Sequence, residues 1–521
     1  MDKEMRNHKG NKSWTPIRIS ELPKGRKLHK LVWVFKLKRD GTAKARLCVQ
    51  GCTMVSGIDY DQVFSSALRY GSTRGLFALA ARKGCFVRSI DFVAAYLQGS
   101  FVDGEIVYCH MPPGYEEYSA DGERLVLRVD KPIYGIPQAG RRLQRNVFDW
   151  LRSFTSLKQL DDSDPCVFVH HDPEGKETFA VGVYVDNLQI VHSAEVDGDG
   201  NALDQKSFYA KFVSKLSADW EVLDEGPMTD MLGIEVSYNP NGSITLHQAK
   251  YVKKIVDRFQ PAKLEGVHRN TLPFSKDIMK HVQDALDNST ADAPAYPELV
   301  KPYQERCGAL MYSAGSCRPD IAYPVHLLCR CMSRPSPQTM RECDYVLNYL
   351  NATADLGITY SLGPSVFKAS SDASWEVRNS TSGWHLEWQR AAILWNSRKQ
   401  HSISLSSMEA EIVALSEAAK DVIFYRKLLA GLDATAIDGP TELATDNKSA
   451  RDLAYNPEHH DRSKHILRRH FYVRDVVENL EVVVPYVASK ENVADFYTKP
   501  LSETEFFKLR ARIMNEGAAS A

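Results

Sequence analysis

The stretch FAVGVYVDNLQIV, residues 179–191, is the part of the sequence on which the fold prediction depends. Two apolar, β-favouring runs, residues 179–185 and 188–191, flank the polar pair Asp186-Asn187. This pattern is typical of a β-hairpin with the polar pair at its tip. Because Asp and Asn tolerate the positive φ angles of tight turns, a turn without any chemistry also explains the stretch when it is taken alone.

A second acidic residue gives the hairpin a chemical interpretation. Asp91 follows another apolar strand, predicted over residues 86–90, and could meet the carboxylate at the hairpin tip within one sheet. Mg²⁺ binds one or two carboxylates together with substrate phosphates, and a two-metal site activates a primer hydroxyl and stabilises the leaving pyrophosphate. The pair Asp91 and Asp186 therefore predicts a nucleotidyl-transfer site.

The sequence around these acids predicts an α+β domain that extends to about residue 240. Strands are expected over residues 31–37 and 46–50, joined by the turn Arg39-Asp40-Gly41. A helix is expected over residues 72–82 from the spacing of its apolar residues. Strands and helices thus alternate before the hairpin is reached.

The following segments differ in pattern. Residues 281–300 are polar, acidic and punctuated by prolines, which indicates an exposed connection. Residues 303–351 have helical spacing interrupted by prolines and predict a small helical connector. From residue 365 onward the expected order is three strands, a long helix, a strand, two helices and a strand.

Composition sets the class of protein. A chain of 521 residues is long enough for about three or four domains. Its 43% hydrophobic and 25% charged residues exclude collagen-like, mostly disordered and disulfide-scaffold proteins. No apolar run approaches the ~18 residues of a membrane helix and no apolar segment follows Met1, so we expect a soluble protein that does not engage membranes. The ten cysteines are expected to be reduced.

Charge is balanced overall but not locally. The formal net charge is -1, so any affinity for nucleic acid must come from local patches. Residues 1–50 contain 14 Lys and Arg residues against 4 acids. This excess indicates either a solvated basic arm or a surface that follows phosphates.

Four acids near the ends of predicted elements form a second candidate site. They are Asp372, Glu411, Asp446 and Asp495. Four unrelated surface acids would show the same spacing, so spacing alone does not establish a metal site. The run from Ser406 to Glu409 fits a capping box, which gives Glu409 a structural role. Glu411 lies about 200° further round the helix, so we assign Glu411 to the site.

The N-terminal half resembles the reverse transcriptase of copia-type LTR retrotransposons. The segments that carry the resemblance are, in chain order, Trp33-Val34-Phe35-Lys36, Lys44-Ala45-Arg46-Leu47, Gly57-Ile58-Asp59-Tyr60, Asp91-Phe92-Val93-Ala94-Ala95-Tyr96-Leu97, Tyr134-Gly135 with Gln138, Tyr184-Val185-Asp186-Asn187, and Leu232-Gly233-Ile234-Glu235. The resemblance implies that Asp91 and Asp186 bind the metal and that Lys44 and Arg46 contact the triphosphate. It also implies that Tyr96 is the sugar gate and that Gln138 lies near the incoming nucleotide.

One departure from the family bears on activity. The family has a second aspartate where this chain has Asn187, and an amide oxygen is a weaker Mg²⁺ ligand than a carboxylate. Val93, Pro137 and Gly140 depart from the family motifs as well. The chain is therefore either a divergent, active enzyme or a decayed or domesticated copy. On the second interpretation, Asn187→Asp is expected to raise the polymerase rate.

The C-terminal part resembles the RNase H domain that follows copia-type polymerases. The matching segments are Ser371-Asp372-Ala373-Ser374-Trp375, Ser380-Thr381-Ser382-Gly383, residues 405–415, Thr445-Asp446-Asn447-Lys448-Ser449-Ala450, and residues 494–501. The resemblance implies a five-stranded mixed sheet whose four carboxylates hold two Mg²⁺ ions. It also implies contact between the basic run 462–474 and the backbone of an RNA–DNA hybrid.

Together these features predict an α+β multi-domain protein in which a right-hand polymerase is followed by an RNase H-like α/β domain. The expected divisions are a basic arm (1–13), fingers and palm (14–260), a helical thumb and connection (261–364), an RNase H-like domain (365–505) and a tail (506–521). The expected function is RNA-directed DNA polymerisation with cleavage of the hybrid's RNA. The alternative is a decayed copy that retains RNase H or only nucleic-acid binding.

The resemblance also implies partners, a cofactor and a location. The partners are an RNA template, a DNA primer, an RNA–DNA hybrid and deoxynucleoside triphosphates; the cofactor is Mg²⁺, with Mn²⁺ as the alternative. We expect an intracellular location, in cytoplasmic virus-like particles or the nucleus. Because no zinc knuckle, protease or integrase motif is found, we expect the chain to be a fragment or a truncated copy of a longer polyprotein. The sequence does not indicate an oligomeric state.

Overall fold

The computed structural model of the protein describes residues 1–37, 41–101, 105–375, 380–455 and 467–519. They form two compact units, and each unit is built from two stretches of the chain. The first unit comprises residues 1–68 and 88–226, and the second comprises residues 69–87 and 227–521. The divisions expected from sequence stay predictions.

The elements of the first part of the chain alternate as expected. The helices are α1 (Asp2–Gly10), α2 (Tyr70–Lys83), α3 (Ala95–Gln98), α4 (Ala139–Arg152) and α5 (Phe208–Asp219). The strands are β1 (Trp14–Arg18), β2 (Leu28–His29), β3 (Leu31–Leu37), β4 (Ala43–Val49), β5 (Phe86–Phe92), β6 (Val107–His110), β7 (Leu125–Val129), β8 (Leu157–Leu160), β9 (Asp164–His170), β10 (Phe179–Tyr184), β11 (Asn187–His192) and β12 (Val222–Pro227).

The remaining elements belong to the second part of the chain. The helices are α6 (Ala249–Phe259), α7 (Ile278–Asp287), α8 (Pro297–Ser316), α9 (Ala322–Cys329), α10 (Pro337–Ala352), α11 (Ser407–Leu432), α12 (Lys448–Tyr455), α13 (Leu467–Glu478) and α14 (Glu503–Met514). The strands are β13 (Asp230–Met231), β14 (Ile234–Tyr238), β15 (Ile244–His247), β16 (Ile358–Tyr360), β17 (Lys368–Ser374), β18 (Thr381–Trp388), β19 (Ala391–Lys399), β20 (Thr441–Ala444) and β21 (Val482–Val483).

A six-stranded sheet in the order β12-β5-β11-β10-β9-β8 positions the first candidate site. The predicted hairpin is formed by β10 and β11, but its loop is shifted by one residue. Tyr184 pairs with Asn187, so the two loop residues are Val185 and Asp186 rather than Asp186 and Asn187. Val185 has a φ of +55°, which is strained for a β-branched residue. The ladder therefore determines the turn, against the local preference of the side chains.

Two other strand predictions are confirmed with altered limits. β3 pairs antiparallel with β4, and the ladder continues to Leu37 opposite Ala43, so the second strand begins three residues earlier than expected. Arg39 and Asp40 of the expected turn lie outside the described residues. Asp91 was expected just after its strand but lies within β5, because the strand continues to Phe92.

The second unit contains a helix where an exposed connection was expected. The expectation for residues 281–300 is wrong at both ends, since α7 covers residues 278–287 and α8 begins at Pro297. The apolar residues Ile278, Val282 and Ala285 recur at helical spacing and are buried. One apolar face is therefore sufficient for a helix in a segment that is polar on average.

A five-stranded sheet in the order β19-β18-β17-β20-β21 positions the second candidate site. β18 is antiparallel to both β17 and β19, whereas β20 is parallel to β17 and β21, so the sheet is mixed as predicted. The predicted order of strands and helices after residue 365 is confirmed as far as β21, but the helix α14 follows where a tail was expected. Asp372 lies within β17 and not at its end.

Two predicted absences can be compared with the structure. All ten cysteines are free thiols. Within the described ranges, no helix is both long enough and apolar enough to cross a membrane.

Helix α2 belongs to the second unit although its sequence neighbours belong to the first. Arg74 on this helix is 2% exposed, and its guanidinium lies over the ring of Trp395 at 4.3 Å. Its Nε donates to the carbonyl of Ile393 at 2.8 Å, and its Nη1 donates to the carbonyls of Gly315 and Ser316. One buried side chain thus joins three segments that are distant in sequence.

We predict that Arg74→Ala destabilises the second unit, because the buried carbonyls of Ile393 and Ser316 and the partly buried carbonyl of Gly315 lose their donor. The expected loss is about 3 kcal/mol or more of the free energy of unfolding. The measurement is urea denaturation followed by circular dichroism. Lys427→Ala, at an exposed position on α11, is the matched control and should stay within about 0.5 kcal/mol of the unaltered chain. Equal midpoints for the two variants would contradict the prediction.

Candidate active sites

The first cluster of acids lies where β5 and β11 run side by side. The amide of Phe92 donates to the carbonyl of Asp186 at 2.9 Å, so the hairpin loop is joined directly to the residue after Asp91. Both Asp91 and Asp186 are half-buried. Neither carboxylate accepts a hydrogen bond from any group in the described part of the chain. The structure therefore brings the two predicted ligands together and leaves their oxygens available to a cation.

The charge around Asp91 is strongly negative. Burial raises the pKa of Asp91 to about 6, and the carboxylates of Asp186 and Glu225 add to this shift. Lys44 and Arg46 act in the opposite direction. A divalent cation would relieve the repulsion between these carboxylates, so the donor set fits a metal ion.

Asn187 and Glu225 are connected through one hydroxyl group. The Asn187 Nδ2 donates to Ser89 Oγ at 3.1 Å, and Ser89 Oγ donates to Glu225 Oε2 at 2.7 Å. The three residues lie on the adjacent strands β11, β5 and β12. Glu225 was not predicted as a site residue because it belongs to no motif.

The predicted nucleotide-binding residues are close to these acids with one exception. The rings of Tyr96 and Tyr134 meet edge to face at 5.0 Å, and the Arg46 guanidinium lies 4.9 Å from the Tyr134 ring centre. Burial raises the pKa of Tyr96, and Asp186 adds to the shift. A cavity of about 280 Å³ is lined by Lys44, Arg46 and Tyr134, among others.

Gln138 is the exception. Its side chain is completely buried, and its Nε2 donates to the carbonyl of Asp59 at 3.1 Å. These contacts stabilise the loop that carries the Gly57 to Tyr60 motif. A contact between Gln138 and a nucleotide stays a prediction.

The second cluster contains the four predicted acids of the C-terminal part. One carboxylate oxygen from each of Asp372, Glu411 and Asp446 lies within 4.8 Å of the others. Asp495, in the 3₁₀ helix Val493–Tyr497, is adjacent and raises the negative charge at the site. Asp372 comes from β17, Glu411 from α11 and Asp446 from the segment after β20.

The chemistry of this cluster fits a divalent cation. Burial raises the pKa of Glu411 to about 9, with Asp372 and Asp446 contributing. Burial also raises the pKa of Asp495 to about 7, and Asp372 adds to it. The Oε2 atom of Glu411 is buried without a hydrogen-bond partner among the described residues. Buried, mutually repelling oxygens of this kind are the ligands that hard cations require.

Three further residues support the cluster and were not assigned roles from sequence. Lys499 Nζ lies 2.8 Å from Asp495 Oδ1 and 3.9 Å from Asp372 Oδ2. Thr498 donates to Asp372, and Asn492 Nδ2 donates to Asp446 Oδ1 at 3.3 Å. Thr498 and Lys499 belong to the segment 494–501, which is one of those that carry the family resemblance, so the sequence contained an indication of their importance.

Only one of the two bonds of the predicted capping box forms at the start of α11, because the Glu409 carboxylate accepts from Leu405 and not from Ser406. Ser406 Oγ accepts from the amide of Glu409, while the Glu409 side chain accepts from the amide of Leu405 at 2.6 Å. Glu409 is thereby engaged at the start of α11, and Glu411 points to the cluster as predicted. In the basic run 462–474, residues 462–466 and the side chains of Arg468 and His470 lie outside what the structure describes.

The first of these sites lies in a region with a clear family match. Residues 11–274, half of the chain, match the family described as reverse transcriptase (RNA-dependent DNA polymerase). The chain belongs to the reverse transcriptase family. This match covers Asp91, Asp186 and the predicted nucleotide-binding residues.

Relatives extend the similarity over most of the chain. The retrovirus-related Pol polyprotein from transposon TNT 1-94 of Nicotiana tabacum is 29% identical over 97% of this chain and 37% of its own length. That from transposon RE1 of Arabidopsis thaliana is 28% identical over 92% of this chain and 31% of its own length. The copia-type retrotransposon resemblance is confirmed, and the chain spans about a third of these polyproteins.

A solved structure has only weak sequence similarity to this chain. A foamy viral protease–reverse transcriptase in complex with double-stranded DNA is 12% identical, with a TM-score of 0.48, over 91% of this chain and 79% of its own.

We predict that Gly383→Ala weakens cation binding by the second cluster. Gly383 pairs with Asp372, and a Cβ there would lie 2.6 Å from Thr498 Cγ2 and 2.8 Å from Tyr497 Cβ. The segment that carries Asp495 would have to move away. Fe²⁺-directed hydroxyl-radical cleavage of the backbone near residues 372, 411 and 446 should require about tenfold more Fe²⁺.

Gly308→Ala is the control for this experiment. A Cβ at Gly308, within α8, meets no atom within 4 Å. The cleavage pattern of this variant should equal that of the unaltered chain. Unchanged cleavage in Gly383→Ala would show that the close approach of the two segments does not matter for the cluster.

Proposed function

We propose that this chain is an RNA-directed DNA polymerase with ribonuclease H activity. The observation that carries the proposal is the pairing of β5 with β11, which places Asp91 beside Asp186 in a chain of the reverse transcriptase family. The compact group Asp372, Glu411 and Asp446 on a five-stranded mixed sheet supports the second activity. The alternative of a decayed copy is less well supported, because both acid clusters are assembled.

In the polymerase reaction the chain's residues hold and orient the reactants. The primer 3′ oxygen attacks the α-phosphorus of the incoming nucleotide, and the bond to pyrophosphate breaks. Asp91 and Asp186 would hold the divalent cations. Lys44 and Arg46 supply positive charge for the triphosphate, and the 280 Å³ cavity that they line lies against the segment after Asp91.

In the nuclease reaction the second cluster would hold the cations through Asp372, Glu411, Asp446 and Asp495. Water attacks the phosphodiester of the RNA strand, and the 3′ oxygen leaves. Lys499 balances the charge of Asp372 and Asp495. When bound, the cations would polarise the phosphate and neutralise charge on the leaving oxygen.

The cofactor and partners follow from the same chemistry. The oxygen-only donor sets of both clusters favour Mg²⁺, with Mn²⁺ as the alternative. The proposed partners are an RNA template, a DNA primer, the RNA–DNA hybrid and deoxynucleoside triphosphates. An intracellular location completes the proposal.

We predict that single substitutions separate the two activities. Asp186→Asn should lower primer extension on an RNA template by about a hundredfold, the equivalent of ~3 kcal/mol, and leave hybrid cleavage intact. Asp372→Asn should do the reverse, because its carboxylate belongs to the other unit. The measurement is extension of a labelled primer beside cleavage of labelled RNA in a hybrid. If both variants lost both activities equally, the assignment of one site to each reaction would be wrong.

We predict that Tyr96 excludes ribonucleotides. Its ring is held edge to face against Tyr134 near Asp186, where the sugar of a bound nucleotide would lie. Tyr96→Val should admit ribonucleoside triphosphates and lower sugar discrimination by at least about tenfold, measured by competition in primer extension. Tyr108→Phe, on β6, is the control for removal of a tyrosine hydroxyl elsewhere. Unchanged discrimination in Tyr96→Val would contradict this role.

A further inference from the structure

Asn187 leaves the polymerase site one carboxylate short, and the structure places another carboxylate beside it. β12 and β11 lie on either side of β5 in the sheet. The amide of Val93 donates to the carbonyl of Glu221 at 2.9 Å, which sets β12 against the end of β5. In this register Glu225 lies opposite Ser89, on the face of the sheet where Asp91 lies.

The two adjacent acids in the middle of β12, Asp224 and Glu225, face in opposite directions. Asp224 is paired with Arg88, whose Nη2 lies 2.9 Å from Asp224 Oδ2. Glu225 instead accepts from Ser89 and, in the described ranges, forms no ion pair. One oxygen of Glu225 holds the Ser89 hydroxyl, and its other oxygen, Oε1, is available.

The hydrogen bonds explain why an amide is compatible with Glu225. Ser89 has a single hydroxyl proton, and Glu225 Oε2 at 2.7 Å is a much closer acceptor for it than Asn187 Oδ1 at 3.4 Å. The Asn187 Nδ2 supplies the N–H that Ser89 Oγ accepts at 3.1 Å. A carboxylate at position 187 could not donate, and it would compete with Glu225 for the same proton. The Asn187 and Glu225 side chains are therefore complementary.

We propose that Glu225 is a third carboxylate of the polymerase site, and that its negative charge, held through Ser89 on the strand that carries Asp91, strengthens the binding of a divalent cation by Asp91 and Asp186. The charge absent at position 187 is thereby supplied from the neighbouring strand, and Ser89 and Asn187 position the carboxylate. This inference rests on the proposed polymerase function. It also changes the expectation for Asn187→Asp, which should bring no gain in rate while Glu225 is present, because a fourth negative charge is added and the donor to Ser89 is lost.

The test uses Fe²⁺-directed hydroxyl-radical cleavage of the full-length chain, read at cuts near residues 91, 186 and 225, with Mg²⁺ as competitor. These cuts are separate from those near residues 372–495, so each site is observed independently. Glu225→Gln should raise the Mg²⁺ concentration that suppresses the cuts by about tenfold or more. The matched control is Asp224→Asn, which removes the adjacent carboxylate on the opposite face and should shift that concentration less than about twofold.

A double substitution makes the test specific. In primer extension, Glu225→Gln should be slow, and Glu225→Gln with Asn187→Asp should recover most of the loss, because the carboxylate is returned from the other strand. Thermal unfolding checks that every variant is folded. If Glu225→Gln and Asp224→Asn need the same Mg²⁺ concentration while Asp91→Asn loses the cuts, the role of Glu225 is overturned and the metal site at Asp91 stands. Cuts that persist in Asp91→Asn would overturn the metal site and the polymerase proposal with it.

Discussion

Repulsion between carboxylates held close together and partly out of water is the constraint on which both candidate sites depend. Burial raises the pKa of Asp91 to about 6 and that of Glu411 to about 9, and repulsion from the neighbouring carboxylates adds to both shifts. A folded chain tolerates such groups only if neighbouring strands and helices hold them in place. Each site is accordingly supported by backbone pairing on one side and by hydrogen-bonding side chains on the other.

The two sites offset this repulsion differently. In the second cluster a cation of the protein itself, Lys499, lies 2.8 Å from Asp495, and Thr498 and Asn492 hold two of the other acids. In the first cluster Lys44 and Arg46 act on Asp91 from β4. Ser89 donates its hydroxyl proton to Glu225, and Asn187 donates an N–H to Ser89. The hydrogen bonds and the negative charge in the first site therefore depend on whether residue 187 carries an amide or a carboxylate.

The second unit shows how far its stability depends on residues outside the C-terminal part of the sequence. Arg74 and Arg82 on α2 both contact the C-terminal part of this unit: Arg74 donates to the carbonyl of Ile393, and Arg82 Nε lies 2.8 Å from Asp433 Oδ2. Burying a guanidinium is favourable only when its donors are used, and Arg74 donates to three carbonyls. The five-stranded sheet that carries the second cluster is thus folded together with a helix from the part of the chain that matches the reverse transcriptase family.

From the sequence alone, the order of strands and helices from β17 to β21 and the β10–β11 hairpin could be predicted, because alternating apolar residues and capping patterns are local. The six metal-binding candidates were predicted from their places near the ends of these elements together with the resemblance to the copia-type family. The loop at Val185-Asp186, the burial of Gln138 and the place of α2 in the second unit could not, since each depends on strand register or on packing between distant segments. Glu225 is the clearest case. Nothing in the residues around it indicates a role, and only the pairing of β12 with β5 brings it to Ser89 and Asn187.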